Sequence, residues 1–189
     1  MVKGKGVSKG IGIGHTKVLK NEEVKLTDFK VDDKENELNY FRKCLNNVIE
    51  DTKKVIEKLS GTEADIMNAY LMILQDPTLT EETERLIQED GYNAGYATKV
   101  GFETVEEVFK NMDDEYMSAR ASDIEDMKNK VVNKIIDKAE LDLTNLPENT
   151  ILVGKDLSTS DTAKLKLNSV AGIIIENGSE NSHVSIMAK

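Results

Sequence analysis

Cysteine, proline and tryptophan are scarce or missing: the 189 residues include one cysteine, two prolines and no tryptophan. The single cysteine, Cys44, cannot form a disulfide within the chain, which is usual in a reducing compartment, so we expect a cytoplasmic protein. Only two histidines accompany this cysteine, and a zinc site built from thiolates and imidazoles is therefore not expected. We predict no metal site in this chain.

An excess of basic charge and a long apolar run are also missing. The chain carries 25 basic and 35 acidic residues, a net charge of −10. This balance argues against nucleic acid and anionic membrane as partners, and it suits a basic protein partner. No segment approaches the roughly 20 apolar residues of a membrane-spanning helix, and the opening MVKGKGVSKG has no apolar core of a secretory signal.

Residues 1 to 31 are rich in glycine, valine and isoleucine, a composition that predicts one or two strands. Gly10, Gly12 and Gly14 form a G-x-G-x-G run. A nucleotide-binding loop needs a strand before the glycines and a helix directly after them, whereas HTKVLKN continues as strand. A glycine-kinked strand is therefore favoured over a phosphate loop.

Residues 32 to 141 change to apolar side chains at helical spacing, and they predict four or five helices with short loops and antiparallel neighbours. Breaks fall at residues 60 to 62, at Pro77 and at Gly91. The fourth helix carries apolar residues at Tyr96, Val100, Val105, Val108 and Phe109.

Residues 142 to 189 alternate strand and helix. TILVG (150 to 154) and VAGIII (170 to 175) are typical of buried strands, a short helix capped by Ser160 or Asp161 lies between them, and SHVSIMAK starts another helix. The fold class is therefore α/β plus all-α. An α/β domain of residues 1 to 31 and 142 to 189 carries an inserted helical block of residues 32 to 141.

His183 follows a small polar loop and falls in the first turn of the last predicted helix. Unpaired backbone N–H groups and the helix dipole make such a turn an anion site, and they favour a neutral, nucleophilic imidazole. That combination suits a histidine that accepts a phosphoryl group. From these local features alone, a surface or helix-start histidine is the simpler interpretation.

Three stretches carry a resemblance to a known family. GSENSHVSIMAK (178 to 189) resembles the phosphohistidine motif Gly-Gly-x-Thr-Ser-His-x-(Ser/Ala)-Ile-Met-Ala-Arg of proteins that carry phosphate from phosphoenolpyruvate on a histidine. MDDEYMSARASDIEDM (112 to 127) and DLSTSDTAKL (156 to 165) are similar to segments of one such protein, Enzyme I of the sugar phosphotransferase system. The resemblance covers the whole chain in family order.

The resemblance implies a swivelling phosphohistidine α/β domain with an inserted helical subdomain that binds the carrier protein HPr. His183 would take a phosphoryl group from phosphoenolpyruvate and pass it to HPr, the first step of sugar transport by this system. Thr162 matches the threonine that hydrogen-bonds the resting histidine. Arg120 and Asp123 match a pair near the HPr-docking face. Without the resemblance, Thr162 would be an ordinary helix-start residue, and the other two would lie on a solvated face.

Binding residues are implied for the helical subdomain and for the phosphate loop. Tyr70, Leu71 and Leu74 are candidates for the apolar centre of the HPr interface, with core packing as the alternative. Acidic stretches at 81 to 90 and 103 to 116 suit the basic rim of HPr. The expected phosphate-binding residues are Gly178, Ser179, Asn181 and Ser182, together with Lys189.

The chain departs from the family motif at three of these positions. Ser179 replaces the second glycine, Asn181 replaces threonine, and Lys189 replaces arginine and so loses the bidentate fork for phosphate. These changes leave alternatives open: a non-catalytic HPr-docking module, or the phosphohistidine domain of a paralogue with another carrier. A synthase- or dikinase-type domain is disfavoured by the match at 112 to 127.

Enzyme I continues beyond this motif with the rest of the α/β domain and a barrel that binds phosphoenolpyruvate and Mg²⁺ and forms the dimer. We therefore expect this chain to be a fragment. It would be monomeric, would bind no magnesium, and would be inactive with phosphoenolpyruvate unless the missing phosphoenolpyruvate-binding domain is supplied.

Overall fold

The computed structural model describes residues 4–19, 26–113, 118, 120–137, 143–177 and 184–185. The chain divides into two compact units: residues 24–140 form a helical unit, and residues 1–23 with 141–189 form an α/β unit. The predicted fold class, α/β with an inserted helical block, is confirmed.

Five helices of the helical unit are described. They are α1 (Lys34–Ile56), α2 (Thr62–Leu74), α3 (Pro77–Gln88), α4 (Ala94–Lys110) and α5 (Ala121–Ile135). The helix α3 packs on α4, α4 packs on α5, and α1 contacts α2, α3 and α5. Side chains from all five helices fill the core, among them Phe41, Met67, Leu79, Phe102 and Met127.

Side-chain caps fix where three of these helices begin. Asp33, Asp76 and Asn93 each accept a hydrogen bond from a backbone N–H in the first turn of α1, α3 and α4, at 2.9 to 3.0 Å. Asn93 also donates its amide to the Thr27 and Phe29 carbonyls at 2.8 and 3.1 Å. The Asn93 side chain therefore caps the first turn of α4 and links this turn by hydrogen bonds to the segment that precedes α1.

The apolar residues that mark α4 in the sequence do not form its most buried face. Val108 is exposed, and the buried positions include Ala97, Gly101 and Phe102. A Cβ atom on Gly101 would lie 2.3 Å from the Thr83 hydroxyl oxygen of α3. The close approach of α3 and α4 requires a residue without a side chain at Gly101, and a pattern of apolar residues does not mark such a position.

The α/β unit contains a parallel sheet in the order β1 (His15–Val18), β2 (Thr150–Gly154) and β3 (Val170–Ile175). The helix α6 (Thr159–Lys164) and a short 3₁₀ turn connect β2 to β3. Both predicted strands at 150 to 154 and 170 to 175 are confirmed. The cap of α6 is Ser158, whose hydroxyl accepts from the Asp161 N–H, and not Ser160 or Asp161 as predicted.

Leucines from several segments form the core of the α/β unit. Leu152 of β2 is fully buried among Leu19, Leu143, Leu157, Leu165 and Val184. The opposite face of the sheet shows a row in which Val18, Val153 and Ile174 lie side by side in register. Val18 and Ile174 at the two ends of this row are exposed.

The glycine run before β1 follows the backbone of the two other strands. A Cβ atom on Gly12 would lie 2.1 Å from the Ala171 carbonyl oxygen, and one on Gly14 would lie 1.7 Å from that of Asn149. These positions require glycine because another backbone passes there, as expected for a kinked strand. Ile11 and Ile13 between them are 94 and 83% exposed, and strand pairing begins only at His15.

Candidate functional site

The predicted phosphate loop and its histidine lie outside the described residues. This holds for Gly178, Ser179, Asn181, Ser182 and His183, and also for Lys189. Val184 and Ser185, which directly follow the histidine, are helical and buried. Since Val184 packs in the leucine core of the α/β unit, the position after His183 is anchored to that core.

Thr162 lies in α6 with its side chain buried. Its hydroxyl donates to the Ser158 carbonyl oxygen at 2.8 Å, and its N–H bonds to the same carbonyl at 2.9 Å. A hydroxyl that donates one hydrogen bond keeps two lone pairs that can accept another. The fixed oxygen of Thr162 can therefore still accept a hydrogen bond from a donor such as an imidazole N–H.

Arg120 and Asp123 lie together at the start of α5. The guanidinium Nη1 is 3.2 Å from the Asp123 carboxylate, and both side chains are largely shielded from solvent. Asp123 is buried. The pair therefore does not lie on a solvated helix face, which was the interpretation from residue pattern alone, and its burial reduces screening of the charges.

The three apolar candidates on α2 are mostly turned inward. Tyr70 and Leu74 are 1 and 0% exposed and belong to the helical core, and Leu71 is half-buried. Core packing, the alternative kept for them, describes Tyr70 and Leu74 in this structure. The exposed apolar side chain of α2 is Met72, which is 73% exposed. The apolar stripe in the sequence selects inward residues and gives no signal for Met72.

The negative charge of the chain is concentrated in the helical unit. Residues 24–140 contain 16 basic and 27 acidic residues, and the remaining residues contain 9 and 8. Local ion pairs already occupy much of the first acidic stretch, since Arg85 pairs with Glu82, Glu89 and Asp90. The attraction for a basic partner thus comes from the field of the whole unit and less from single bare carboxylates.

The acidic stretch on α4 contains a buried carboxylate that sequence analysis counted as surface charge. Glu106 pairs with Lys128 of α5 at 3.2 Å and also with Lys110. Burial alone would raise the pKa of Glu106, but the hydrogen bonds and charges of both lysines outweigh it and hold that pKa below its usual range. Glu106 stabilises the contact between α4 and α5 and is not available for steering a partner.

Among the described residues, no group of three histidine, cysteine or acidic side chains lies close enough to hold a metal ion. None of the described helices is both long and apolar enough to cross a membrane.

Two family models match the chain. The model described as PEP-utilising enzyme, N-terminal, matches residues 3–120, and that described as PEP-utilising enzyme, mobile domain, matches residues 146–189. The second match contains both Thr162 and His183.

Curated relatives include phosphoenolpyruvate-protein phosphotransferases from Haemophilus influenzae, 34% identical over 198 residues, and from Bacillus subtilis, 31% identical over 192 residues. Each match covers 100% of this chain and 34% of the relative, so the chain spans about a third of their length.

Two solved structures are similar to the whole fold. The NMR solution structure of an Enzyme I protein matches with a TM-score of 0.82 at 31% identity, over 96% of this chain and 76% of that one. The N-terminal domain of Enzyme 1 - Nitrogen matches with a TM-score of 0.68 at 21% identity over the same shares, which shows the common fold. The chain belongs to the PEP-utilising enzyme family, and it corresponds to the N-terminal part of an Enzyme I-like phosphotransferase.

Proposed function

We propose that this chain carries a phosphoryl group on His183 and exchanges it with the carrier protein HPr in sugar phosphotransferase transport. The observation that carries the proposal is the match of residues 146–189 to the mobile domain of PEP-utilising enzymes, because this one segment holds the phosphohistidine motif and Thr162. The cytoplasm is the compartment in which the transfer takes place.

The transfer exchanges one nitrogen–phosphorus bond for another. A ring nitrogen of neutral His183 attacks the phosphorus of phosphorylated HPr, the bond to the HPr histidine breaks, and its electron pair stays on that histidine. Gly178, Ser179, Asn181 and Ser182 bind the phosphoryl oxygens, and Lys189 supplies a positive charge. The reaction is reversible because the bonds broken and formed are of the same kind.

Thr162 orients the resting histidine. Its hydroxyl oxygen is held by the bond to the Ser158 carbonyl and accepts a hydrogen bond from the N–H of the imidazole. The other ring nitrogen is then unprotonated and carries the lone pair for attack, as the second partner of a histidine usually decides its tautomer.

The helical unit docks HPr. Its excess of 11 negative charges draws a basic surface toward it at long range. Exposed Met72 on α2 supplies an apolar contact at the centre of the interface, where desolvated side chains contribute most to affinity. Arg120 lies near the face that docks HPr, and Asp123 holds its guanidinium in place.

Phosphoenolpyruvate and Mg²⁺ bind to the part of the relatives that this chain does not span. Phosphorylation by phosphoenolpyruvate therefore requires the phosphoenolpyruvate-binding domain to be present, either on the same polypeptide or added separately. In the longer relatives this part also forms the dimer, and the present chain is monomeric.

The test mixes this chain with phosphorylated HPr and measures its intact mass. One added phosphoryl group, absent in His183→Ala and retained in His15→Ala, is the expected result. The pair is matched because His15 and His183 are the two histidines of the chain. No phosphoryl uptake despite measurable HPr binding would contradict the proposal and would indicate a docking module without transfer activity. Ser179 and Asn181 would then be the first positions to change back to the family residues.

A further inference from the structure

A half-open pocket of about 450 Å³ lies in the helical unit, and its described lining contains none of the residues assigned above to phosphoryl transfer. Its apolar walls come from Phe29, Tyr40, Ile135 and Ile136, and its polar lining includes Glu37 and Asn93. Cavities of this volume are usual for small ligands. Phe29 and Tyr40 are 58 and 40% exposed. Both aromatic side chains are therefore accessible to a ligand in the cavity.

The Tyr40 hydroxyl and the Asn93 amide, two neutral polar groups of the cavity, already have partners. The Tyr40 hydroxyl donates to the Ile135 carbonyl at 2.7 Å. The Asn93 amide donates to two carbonyls, and its oxygen accepts the Tyr96 N–H at 3.0 Å. These groups therefore fix the shape of the cavity and have little capacity left to bind a neutral polar ligand.

The Glu37 carboxylate is different. Its Oε1 accepts the Ala94 N–H at 2.6 Å, and within the part of the chain that the structure describes no donor reaches its Oε2. The carboxylate is half-buried and held in place by the start of α4. A fixed carboxylate with an oxygen to spare is a binding group for a cationic donor.

The electrostatic surroundings of Tyr40 also favour a cationic ligand. Burial, followed by the nearby thiol of Cys44 and the carboxylates of Asp137 and Glu37, raises the pKa of the Tyr40 hydroxyl above its ordinary value. Two carboxylates thus act on the ring that forms one wall. An aromatic face beside carboxylates favours a positively charged group.

We propose that this cavity binds a small organic cation, a primary amine or guanidine whose apolar body packs between Phe29 and Tyr40. The cationic head donates a hydrogen bond to Oε2 of Glu37 and lies against the face of Tyr40. The apolar body contacts Ile135 and Ile136. This site is independent of the proposed phosphoryl transfer, and no residue assigned to that transfer lines it.

The test titrates 2-phenylethylammonium into the ¹⁵N-labelled chain and follows the amide signals of Ala94 and Gly95, with calorimetry for the affinity. Saturable shifts at these amides are expected below about 10 mM, as for a small ligand of this size. The matched probe 3-phenylpropanoate has the same aromatic body with a carboxylate, and it should not bind. Equal binding of both probes, or no saturable shift with the cation, would overturn the proposal.

Two variants separate the carboxylate from general charge. Glu37→Gln keeps an oxygen that accepts the Ala94 N–H, so the start of α4 is retained, and it should weaken binding of the cation roughly tenfold. Glu35→Gln removes the same charge from an exposed position on the same helix, and it should leave the affinity within about twofold. Wild-type affinity in Glu37→Gln, with the fold checked by circular dichroism, would show that Glu37 does not hold the ligand.

Discussion

The ammonium of Lys128 lies 3.2 Å from the carboxylate of Glu106, across the packed faces of α5 and α4, with both side chains almost fully buried. Glu103 also reaches Lys128, at 3.3 Å, from a more exposed position. A buried charge whose partner is removed is costly, because water cannot replace the partner. Glu106 is therefore the carboxylate whose loss should cost this helix contact most, because it is the buried partner of Lys128.

Glu106→Gln should lower the free energy of unfolding by about 2 kcal/mol, less than the roughly 3 to 5 kcal/mol of a fully broken buried pair, because Glu103 still contacts Lys128. Urea unfolding followed by circular dichroism measures it. Glu103→Gln is the matched control and should cost under about 1 kcal/mol, as for an exposed pair. Equal losses in the two variants would show that burial does not set the strength of this pair.

The depressed pKa of Glu106 predicts the pH at which this stabilisation disappears. A carboxylate whose pKa is lower in the folded than in the unfolded state stabilises the fold above its unfolded pKa, about 4.3 for glutamate. That stabilisation is lost as the pH falls through the folded pKa. The difference in melting temperature between wild type and Glu106→Gln should be full at neutral pH and should shrink below about pH 4. A constant difference down to pH 3 would contradict the assignment.

Thr162→Val should slow phosphoryl uptake by His183 roughly tenfold, because the side chain keeps its shape but no longer orients the imidazole. Rapid-quench transfer from phosphorylated HPr measures the rate. Thr162→Ser should restore most of it.

Thr150→Val controls for the structural part of that change. Thr150 is also buried in the α/β unit, and its hydroxyl donates to the Pro147 carbonyl at 2.7 Å. Each valine variant should cost about 1 kcal/mol of stability for the lost hydrogen bond, but Thr150→Val should transfer phosphate at the wild-type rate. Equal slowing in both would mean that Thr162 acts only through the fold.

Met72→Ala should weaken HPr binding by about 1 to 2 kcal/mol if this side chain lies at the centre of the interface. Calorimetry with unphosphorylated HPr measures the affinity. Stability should not change, since Met72 is exposed. Val108→Ala, which shortens an exposed apolar side chain on α4, is the control and should bind HPr with the wild-type affinity. An unchanged affinity in Met72→Ala would show that the exposed face of α2 does not contact HPr.

The strands of the fold could be predicted from the sequence, while the packing of α4 could not. TILVG and VAGIII are short runs rich in valine and isoleucine, a composition typical of strands in a parallel sheet. On α4 the close approach to Thr83 leaves no room for a side chain at Gly101. A hydrophobic pattern gives no signal for a position that requires glycine. Ile11 and Ile13 alternate as a strand does, yet pairing starts at His15, since pairing depends on the neighbouring strand.

The candidate site was predictable only by resemblance. Nothing in the pattern around Thr162 distinguishes it from an ordinary helix-start residue, and its buried hydroxyl bonded to Ser158 becomes visible only in the structure. The reverse holds for Glu106, which an acidic run presents as surface charge and the structure places in the core. Burial of a charged residue depends on a partner distant in sequence, here Lys128, and local pattern does not contain that information.

The most direct test of the account is return of the phosphoryl group. The phosphorylated chain would be isolated, mixed with unphosphorylated HPr, and both proteins followed by intact mass over time. We predict that the phosphoryl group leaves His183 and appears on HPr in equal amount, faster than it is lost from the chain alone. Phosphate retained on the chain, or lost as inorganic phosphate without reaching HPr, would contradict the carrier role.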